Sequence, residues 1–283
     1  MTTLVCFHAH PDDECISTGG VMARAAAAGI RVVLVVATRG ERGEPTPGVL
    51  AEGEPLWERR ISESYASAQI LGVQRVEFLG YVDSGMMGET SNESPYSFWT
   101  ADVDAAAGRL ASILREENAQ ILTIYDNNGG YGHPDHIMVH RVGLRAAEMA
   151  GTPRVFETTM NRDHFERMLA KFTEAGEVPP ALEAALEVAE DETSTGAQEE
   201  FVASLDEFGK PESEITHAVN VADLVGLKRE AMLAHRSQIA DDSWFLTMDP
   251  DSFASAFGTE WFIETGVPRA EGDPFSDALW PAE

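Results

Sequence analysis

Two short segments of the chain concentrate residues that bind metals and move protons. The first, at positions 8–14, reads His-Ala-His-Pro-Asp-Asp-Glu. The second, at positions 126–136, reads Asp-Asn-Asn-Gly-Gly-Tyr-Gly-His-Pro-Asp-His. Zinc readily takes imidazole and carboxylate ligands, and a catalytic zinc site uses three protein ligands with a water in the fourth position. Together the two segments predict a metal site that activates water.

The residue types alone leave the ligand set open. Three candidate histidines recur at spacings of three and four, which places them on one helical face below a glycine-rich loop. Such a cluster is harder to explain by packing than a lone histidine would be. An aspartate at the start of a helix also has a simpler role as an N-terminal cap. The candidate histidines are His8, His10, His133, His136 and His140.

Short apolar runs alternate with helical patterns through the first half of the chain. Strands are predicted at 4–8, 32–37, 76–79, 120–125 and 154–157, and helices at 17–28, 57–71, 103–116 and 134–150. This alternation is typical of a parallel sheet with right-handed crossovers. We therefore expect a Rossmann-like α/β core over residues 1–160, with a mostly parallel sheet and helices on both faces. Ligands of such sheets bind outside the carboxyl ends of the strands, where both segments lie.

The pattern of residues 161–283 predicts a smaller C-terminal α/β extension of the core. We expect the core and the extension to form one domain over residues 1–283. Helices are expected at 163–174 and 222–235, and a strand at 215–220. The stretch 174–214 is densely acidic and indicates a solvated helical insertion. The stretch 253–262 is rich in aromatic residues and is expected to cover part of the site.

Composition narrows the classes of partner. The 283 residues carry a formal net charge of -28, which argues against nucleic acid and anionic membranes. The sequence shows no signal-peptide pattern and no run approaching the roughly 20 apolar residues of a membrane span. Two cysteines fit reduced thiols. We therefore expect a cytoplasmic protein with a small-molecule partner, and a homo-oligomer is compatible with the sequence.

The two motifs resemble those of the LmbE-like (PIG-L) deacetylases. The matching segments are His-Pro-Asp-Asp-Glu at 10–14 and Gly-His-Pro-Asp-His at 132–136, in the family's order. The resemblance covers about residues 1–150 and continues more weakly through 219–238. It implies a hydrolase that depends on one Zn²⁺ per chain and removes an acyl group from nitrogen, typically from an N-acetylglucosaminide. Fe²⁺ or another divalent ion also suits such ligands.

The resemblance also assigns roles around the metal. His10, Asp13 and His136 match the three metal ligands, and Asp12 matches the general base that activates water. Separate roles for the two aspartates agree with the chemistry, because a ligated carboxylate cannot also serve as the base. By the same mapping, two histidines are bystanders, His8 and His140.

Further roles carry over to residues that face the substrate in the family. His133 matches the histidine that stabilises the oxyanion or protonates the leaving amine, and Asp135 matches the acid that orients that histidine. Tyr131 matches a mobile tyrosine that polarises the substrate carbonyl. The positions that match contacts to sugar or inositol in actinobacterial members are Arg60, Asp83 and Met86.

Three other functions compete with the deacetylase. Close relatives of the resembled enzymes cleave the amide of mycothiol S-conjugates, so a mycothiol S-conjugate amidase is the first alternative. A protein that uses the metal only to grip a ligand gains nothing from Asp12 beside the ligands. A structural zinc site usually has four ligands, mostly cysteine, and Cys6 and Cys15 do not supply that set.

Overall fold

The computed structural model describes residues 2–175 and 208–281. Within these residues one sheet has the strand order β3-β2-β1-β4-β5-β7-β6. Neighbouring strands from β3 across to β5 run parallel, whereas β7 runs antiparallel to both β5 and β6. The strands are β1 (Thr3–His8), β2 (Arg31–Val36), β3 (Arg75–Phe78), β4 (Ile121–Tyr125), β5 (Arg154–Thr159), β6 (His217–Asn220) and β7 (Thr259–Glu264).

Helices connect most of these strands. They are α1 (Asp13–Ser17), α2 (Gly19–Ala27), α3 (Leu56–Ile70), α4 (Val103–Glu116), α5 (Pro134–Ala150), α6 (Arg162–Ala175), α7 (Val225–Ala234), α8 (Trp244–Thr247) and α9 (Pro250–Phe257). Short 3-10 turns lie at Thr90–Glu93, Phe98–Thr100 and Ala222–Leu224. Among the helices described, none combines the length and the apolar character that a membrane crossing needs.

Both faces of the sheet are covered, because successive strand residues point to opposite sides. In β1, Val5 and Phe7 pack in one core with α4 and α5. Leu4 and Cys6 pack in a second core with α2 and α7. The predicted α/β architecture, a mostly parallel sheet between two helical layers, is therefore confirmed.

The strand order brings the two motif segments together. From β1 the chain builds outward through β2 to β3, and then crosses back to place β4 on the other side of β1. A crevice forms at such a switch point, outside the carboxyl ends of the two central strands. The segment after β1 begins beyond His8, and the segment after β4 begins beyond Tyr125. The topology thus places both segments at the same edge of the sheet.

Two predicted elements differ from the structure. The helix expected at 17–28 is α2, which begins at Gly19, and a separate short helix, α1, precedes it. The two helices meet at Thr18, whose hydroxyl lies 2.8 Å from His8 Nε2. The aromatic stretch at 253–262 contains the end of α9 and most of the strand β7, which the sequence pattern did not reveal. Strand β7 forms because the chain returns to the sheet from the extension, and Phe262 and Glu260 then face inward.

The C-terminal extension contributes strands β6 and β7 to the same sheet. The acidic insertion predicted at 174–214 falls mostly on residues 176–207, which lie outside the described residues. The division into a core at 1–160 and an extension at 161–283 stays a prediction.

Two helical glycines provide a paired test of this packing. A side chain at Gly143 in α5 would collide with Ile124 of β4, whereas at Gly108 in α4 the nearest atom is Met149 Cε at 3.9 Å. We expect Gly143→Ala to lower the free energy of unfolding by about 1–3 kcal/mol through overpacking. Gly108→Ala should leave it unchanged or raise it by up to about 1 kcal/mol. Denaturant unfolding measures both, and equal effects would contradict the close α5–β4 contact.

Candidate active site

The two segments meet in a cluster of three imidazole rings and a carboxylate. The ring centroids of His10, His133 and His136 lie 4.6 to 5.4 Å apart. The Asp13 Oδ2 atom lies 3.4 Å from His10 Nδ1 and 3.5 Å from His136 Nε2. All three histidines are buried. Three residues predicted as metal ligands, His10, Asp13 and His136, are therefore brought together with their donor atoms facing one another.

The hydrogen bond at the far side of His136 fixes which of its nitrogens is free. His136 Nδ1 lies 3.1 Å from the carbonyl oxygen of Gly129. Because a carbonyl can only accept, Nδ1 carries the proton and Nε2 keeps its lone pair. Nε2 is buried and has no hydrogen-bond partner among the described residues. A buried lone pair that faces an aspartate oxygen, with the other ring nitrogen bonded to a carbonyl, fits a metal ligand.

Glycine is required at position 129 for this arrangement. The residue has φ +64°, and a side chain there would collide with the Cβ of His136. The glycine-rich loop therefore lets the backbone approach the ring closely enough to accept its Nδ1 proton. On the other side, the ring of Tyr125 stacks on His136 with centroids 4.3 Å apart and planes inclined by 9°.

His10 is oriented by a carboxylate. Its Nε2 lies 3.1 Å from Asp135 Oδ2 and 3.6 Å from Asp83 Oδ1. An ionised carboxylate only accepts, so Nε2 carries the proton and Nδ1 faces Asp13. Burial lowers the pKa of His10, but the hydrogen bonds with Asp13, Asp135 and Asp83 raise it well above the ordinary value. A metal ion at Nδ1 would therefore replace a proton.

The carboxylate of Asp135 has a different partner from the predicted one. It accepts hydrogen bonds from the backbone N–H and the hydroxyl of Ser84 as well as from His10. It is the backbone N–H of Asp135, at 3.1 Å, that bonds to His133 Nδ1 and so fixes that ring. His10, Asp83 and Asp135 form a second group of potential metal ligands. In this second group, both carboxylate oxygens of Asp135 already accept hydrogen bonds from His10 or Ser84.

His133 suits hydrogen-bond donation better than metal binding. It is the N-cap of α5, where its Nδ1 accepts from the backbone. Its other nitrogen, Nε2, therefore carries the proton of the neutral ring. Burial lowers the pKa of His133 to about 4, with a further contribution from His10 and His136, so the ring is neutral at pH 7. A neutral N–H beside the cluster suits stabilisation of an oxyanion.

The backbone of Asp12 is strained. It has φ 98° and ψ -30° directly after Pro11, where a type II turn usually places glycine. Non-glycine residues in such conformations cost about 1–3 kcal/mol and cluster at functional sites. Burial raises the pKa of Asp12 to about 6, although the Arg60 guanidinium at 3.3 Å acts in the opposite direction. A carboxylate that titrates near neutrality suits a general base.

The three residues predicted to bind substrate occupy different positions. Arg60 is only 3% exposed, and its guanidinium donates to the carbonyl oxygens of Pro11 and Gly40, which favours a role in positioning Asp12. Asp83 lies beside His10 and accepts from the backbone N–H of Gly85 at 2.9 Å. Met86 is 48% exposed on the same loop.

Tyr131 stands at the mouth of the cluster. Its side chain is half-exposed, and its ring centroid lies 5.0 Å from that of His136 and 6.2 Å from that of His133. Burial raises the pKa of its hydroxyl above the ordinary value, so the group stays protonated and able to donate.

The two histidines predicted to be bystanders have other partners. His8 Nδ1 lies 2.9 Å from the Tyr125 hydroxyl, and its Nε2 lies 2.8 Å from the Thr18 hydroxyl. His140 Nδ1 lies 3.1 Å from the Tyr125 carbonyl oxygen. Neither histidine belongs to the ligand groups that the described part of the chain forms.

Sequence reasoning missed a cavity that adjoins the cluster. It has a volume of about 260 Å³ and shares Asp13, Tyr131 and His136 with the site. Residues of the extension contribute to it, and long-range packing of this kind leaves no motif in the sequence. Its large apolar lining side chains are Ile16, Met160, Phe165, Met168, Phe257 and Trp261. The last two lie in the aromatic stretch that was expected to cover part of the site.

Comparisons with known proteins agree with this site. The family model of the GlcNAc-PI de-N-acetylases (PIG-L) matches residues 5–147. A curated relative from Acidothermus cellulolyticus, 1D-myo-inositol 2-acetamido-2-deoxy-alpha-D-glucopyranoside deacetylase, is 39% identical, with 95% of this chain and 92% of the relative covered. The chain belongs to the PIG-L family of enzymes, which are hydrolases that act on carbon–nitrogen bonds.

Solved structures share the architecture at low sequence identity. The N,N'-diacetylchitobiose deacetylase from Pyrococcus horikoshii matches with a TM-score of 0.56 at 22% identity, covering 93% of this chain and 84% of that one. The 4-carboxy-2-hydroxymuconate hydratase GalB from Pseudomonas putida matches with a TM-score of 0.56 at 18% identity, covering 97% and 100%. Because a hydratase also has this fold, function must be argued from the site.

The free Nε2 of His136 gives a paired prediction on metal binding. His136→Ala removes a proposed ligand, so we expect metal affinity to fall by at least about 100-fold, beyond the usual effect of losing an outer-shell partner. His140→Ala removes a ring whose Nδ1 contacts the Tyr125 carbonyl oxygen and Glu157, away from the cluster, so affinity should stay within a few-fold of wild type. Metal content after dialysis against a graded chelator measures both. Loss of metal from His140→Ala would mean that the wrong histidine is assigned.

Proposed function

We propose that this protein is a zinc-dependent N-deacetylase that hydrolyses the amide of a small N-acetylglucosaminide. One observation carries the proposal: the buried, unpartnered Nε2 of His136 faces Asp13 Oδ2, on which His10 Nδ1 also converges. The printed names of relatives support an acetylated glucosamine as substrate.

In this proposal His10 Nδ1, Asp13 and His136 Nε2 would hold a divalent ion, with Zn²⁺ the first candidate and Fe²⁺ an alternative of the same ligand chemistry. Bound there, the ion supplies a Lewis acid that polarises the acyl oxygen and lowers the pKa of water. His133 is excluded from the ligand set because its Nδ1 lone pair already accepts from the Asp135 backbone.

Asp12 takes the proton from the attacking water. Its pKa of about 6 leaves it largely ionised at pH 7. The water oxygen forms a bond to the acyl carbon, and the carbon–nitrogen bond then breaks, with the proton passing to the leaving amine. In this proposal the Nε2–H of His133 and the hydroxyl of Tyr131, whose rings lie side by side at the cluster, donate to the tetrahedral oxyanion. The products are acetate and the free amine.

The sugar is proposed to lie on the side of the loop that carries Asp83 and Met86. The Asp83 carboxylate can accept from sugar hydroxyls, and the exposed Met86 can pack on an apolar sugar face. Arg60 contributes indirectly through Asp12. The inositol glucosaminide named for the curated relative is the substrate to test first.

The cavity supports a second candidate function. A volume of about 260 Å³ with mostly apolar walls, opening beside Asp13 and Tyr131, is larger than an acetyl methyl group requires. An amidase that removes a bulkier acyl group, such as the cysteinyl part of a mycothiol S-conjugate, would use this space.

Metal content and amine release together test the leading proposal. We expect about one zinc per chain and release of amine from N-acetylglucosamine conjugates. Asp12→Ala should keep the metal but lose kcat by about 10²- to 10⁴-fold, because the general base is removed. Asp12→Asn is the matched variant, since asparagine tolerates left-handed backbone and keeps the side-chain shape. Near wild-type turnover in either variant would overturn the role of Asp12.

A comparison of acyl groups on one sugar separates the two candidates. We expect N-acetylglucosaminyl-inositol to have a higher kcat/KM than the same sugar acylated with N-acetylcysteine S-conjugates. One methylene is worth about 10- to 200-fold in a fitted apolar pocket, so the ranking should be clear. Metal-loaded enzyme that prefers the conjugate would support the amidase.

A further inference from the structure

A buried network behind Asp12 takes no part in the chemistry proposed above. It consists of Glu14 in α1, Ser67 in α3 and His235 directly after α7, and all three residues are fully buried. Fully buried carboxylates are uncommon without a compensating partner, so this cluster calls for an explanation.

The carboxylate of Glu14 connects His235 to the backbone of Asp12. Glu14 Oε1 accepts from the Ser67 hydroxyl at 2.6 Å and lies 2.7 Å from His235 Nε2. Glu14 Oε2 accepts from the backbone N–H of Asp12 at 2.9 Å. Both carboxylate oxygens of Glu14 therefore have hydrogen-bond partners, and Oε2 accepts from the backbone N–H of the strained residue itself.

Other groups contact the carbonyl oxygen and the side chain of Asp12. The Asp12 carbonyl oxygen accepts from the backbone N–H of Cys15 at 3.2 Å and from its thiol at 2.9 Å. The Asp12 side chain is paired with Arg60 at 3.3 Å. A left-handed aspartate persists only where its surroundings over-determine it, and Glu14 supplies the contact on the N–H side.

We propose that Glu14 and His235 are positioning residues for the base. The Glu14 carboxylate, held by His235 and Ser67, keeps Asp12 in the left-handed conformation in which consecutive side chains diverge. Asp13 then faces His10 and His136, while Asp12 stays free of them. This inference rests on the proposed role of Asp12 as the base.

A neighbouring contact provides a matched control. Glu63 of α3 is also buried, and its carboxylate accepts from the backbone N–H of Ser237 at 2.9 Å and from the Ser237 hydroxyl at 2.6 Å. It joins α3 to the segment after α7, as the Glu14 network does, but its hydrogen bonds do not reach Asp12. Loss of Glu63 therefore reports the structural cost alone.

The test compares kcat, KM, metal content and melting temperature across variants. Glu14→Ala and His235→Ala should lower kcat by about tenfold to 100-fold, as misplacement of a reacting group by about 1 Å does, with metal content near wild type. Glu14→Gln should restore much of kcat, because its amide oxygen can still accept from Asp12. Glu63→Ala should lower the melting temperature but change kcat by less than about threefold.

Two further measurements keep the inference separate from the deacetylase proposal. In an Asp12→Ala background, Glu14→Ala should cause no additional loss of residual rate, because the group it positions is gone. A crystal structure of Glu14→Ala, or of the milder Ser67→Ala, should show Asp12 leaving positive φ, whatever the substrate. An unchanged Asp12 backbone, or equal rate losses in both backgrounds, would overturn the positioning role.

Discussion

The site depends on two hydrogen bonds that decide which ring nitrogens are free. The Gly129 carbonyl takes the Nδ1 proton of His136, and the Asp135 carboxylate takes the Nε2 proton of His10. Each bond leaves the opposite nitrogen facing Asp13 and open to a metal ion, which would use the lone pair of His136 Nε2 and would replace a proton at His10 Nδ1. If either partner were a donor instead, the tautomer would reverse and the lone pair would turn away from the cluster.

The same logic separates His133 from its neighbours, although its ring is just as close. A backbone N–H occupies its Nδ1, so the proton sits on Nε2 and the ring faces the cluster as a donor. Three histidines from the two motif segments thus present different ring nitrogens to the cluster, because their hydrogen-bond partners fix where each ring carries its proton. The strained backbone of Asp12 separates the two adjacent aspartates in a similar way, because Asp13 faces His136 whereas Asp12 lies beside the cluster, paired with Arg60.

Much of this could be predicted from the sequence, because local patterns and sheet topology decide it. Helices α4 and α5 lie where the pattern of apolar residues predicted them, and the two motifs converge because both follow central parallel strands. The partner of the Asp135 carboxylate could not be predicted. Asp135 is two residues from His133 in sequence, yet its carboxylate bonds to His10, across the switch point.

Contacts between segments far apart in the chain explain the other features that the sequence did not predict. Glu14 belongs to a motif that the sequence singled out, but its partner His235 lies 221 residues away. Arg60 was expected to face substrate, whereas burial beneath Pro11 turns its guanidinium toward backbone carbonyls. Strand β7 pairs with β5 of the core only because the extension folds back onto the sheet, and nothing local in its sequence signals that pairing.

The most direct test of this account is an anomalous-scattering map at the zinc edge, from crystals of the zinc-loaded protein. The account predicts one strong peak within about 2.0–2.2 Å of His10 Nδ1, an Asp13 oxygen and His136 Nε2, with His133 outside the coordination sphere. A peak coordinated by His133, or one between His10, Asp83 and Asp135, would contradict the tautomers on which the site and its mechanism depend.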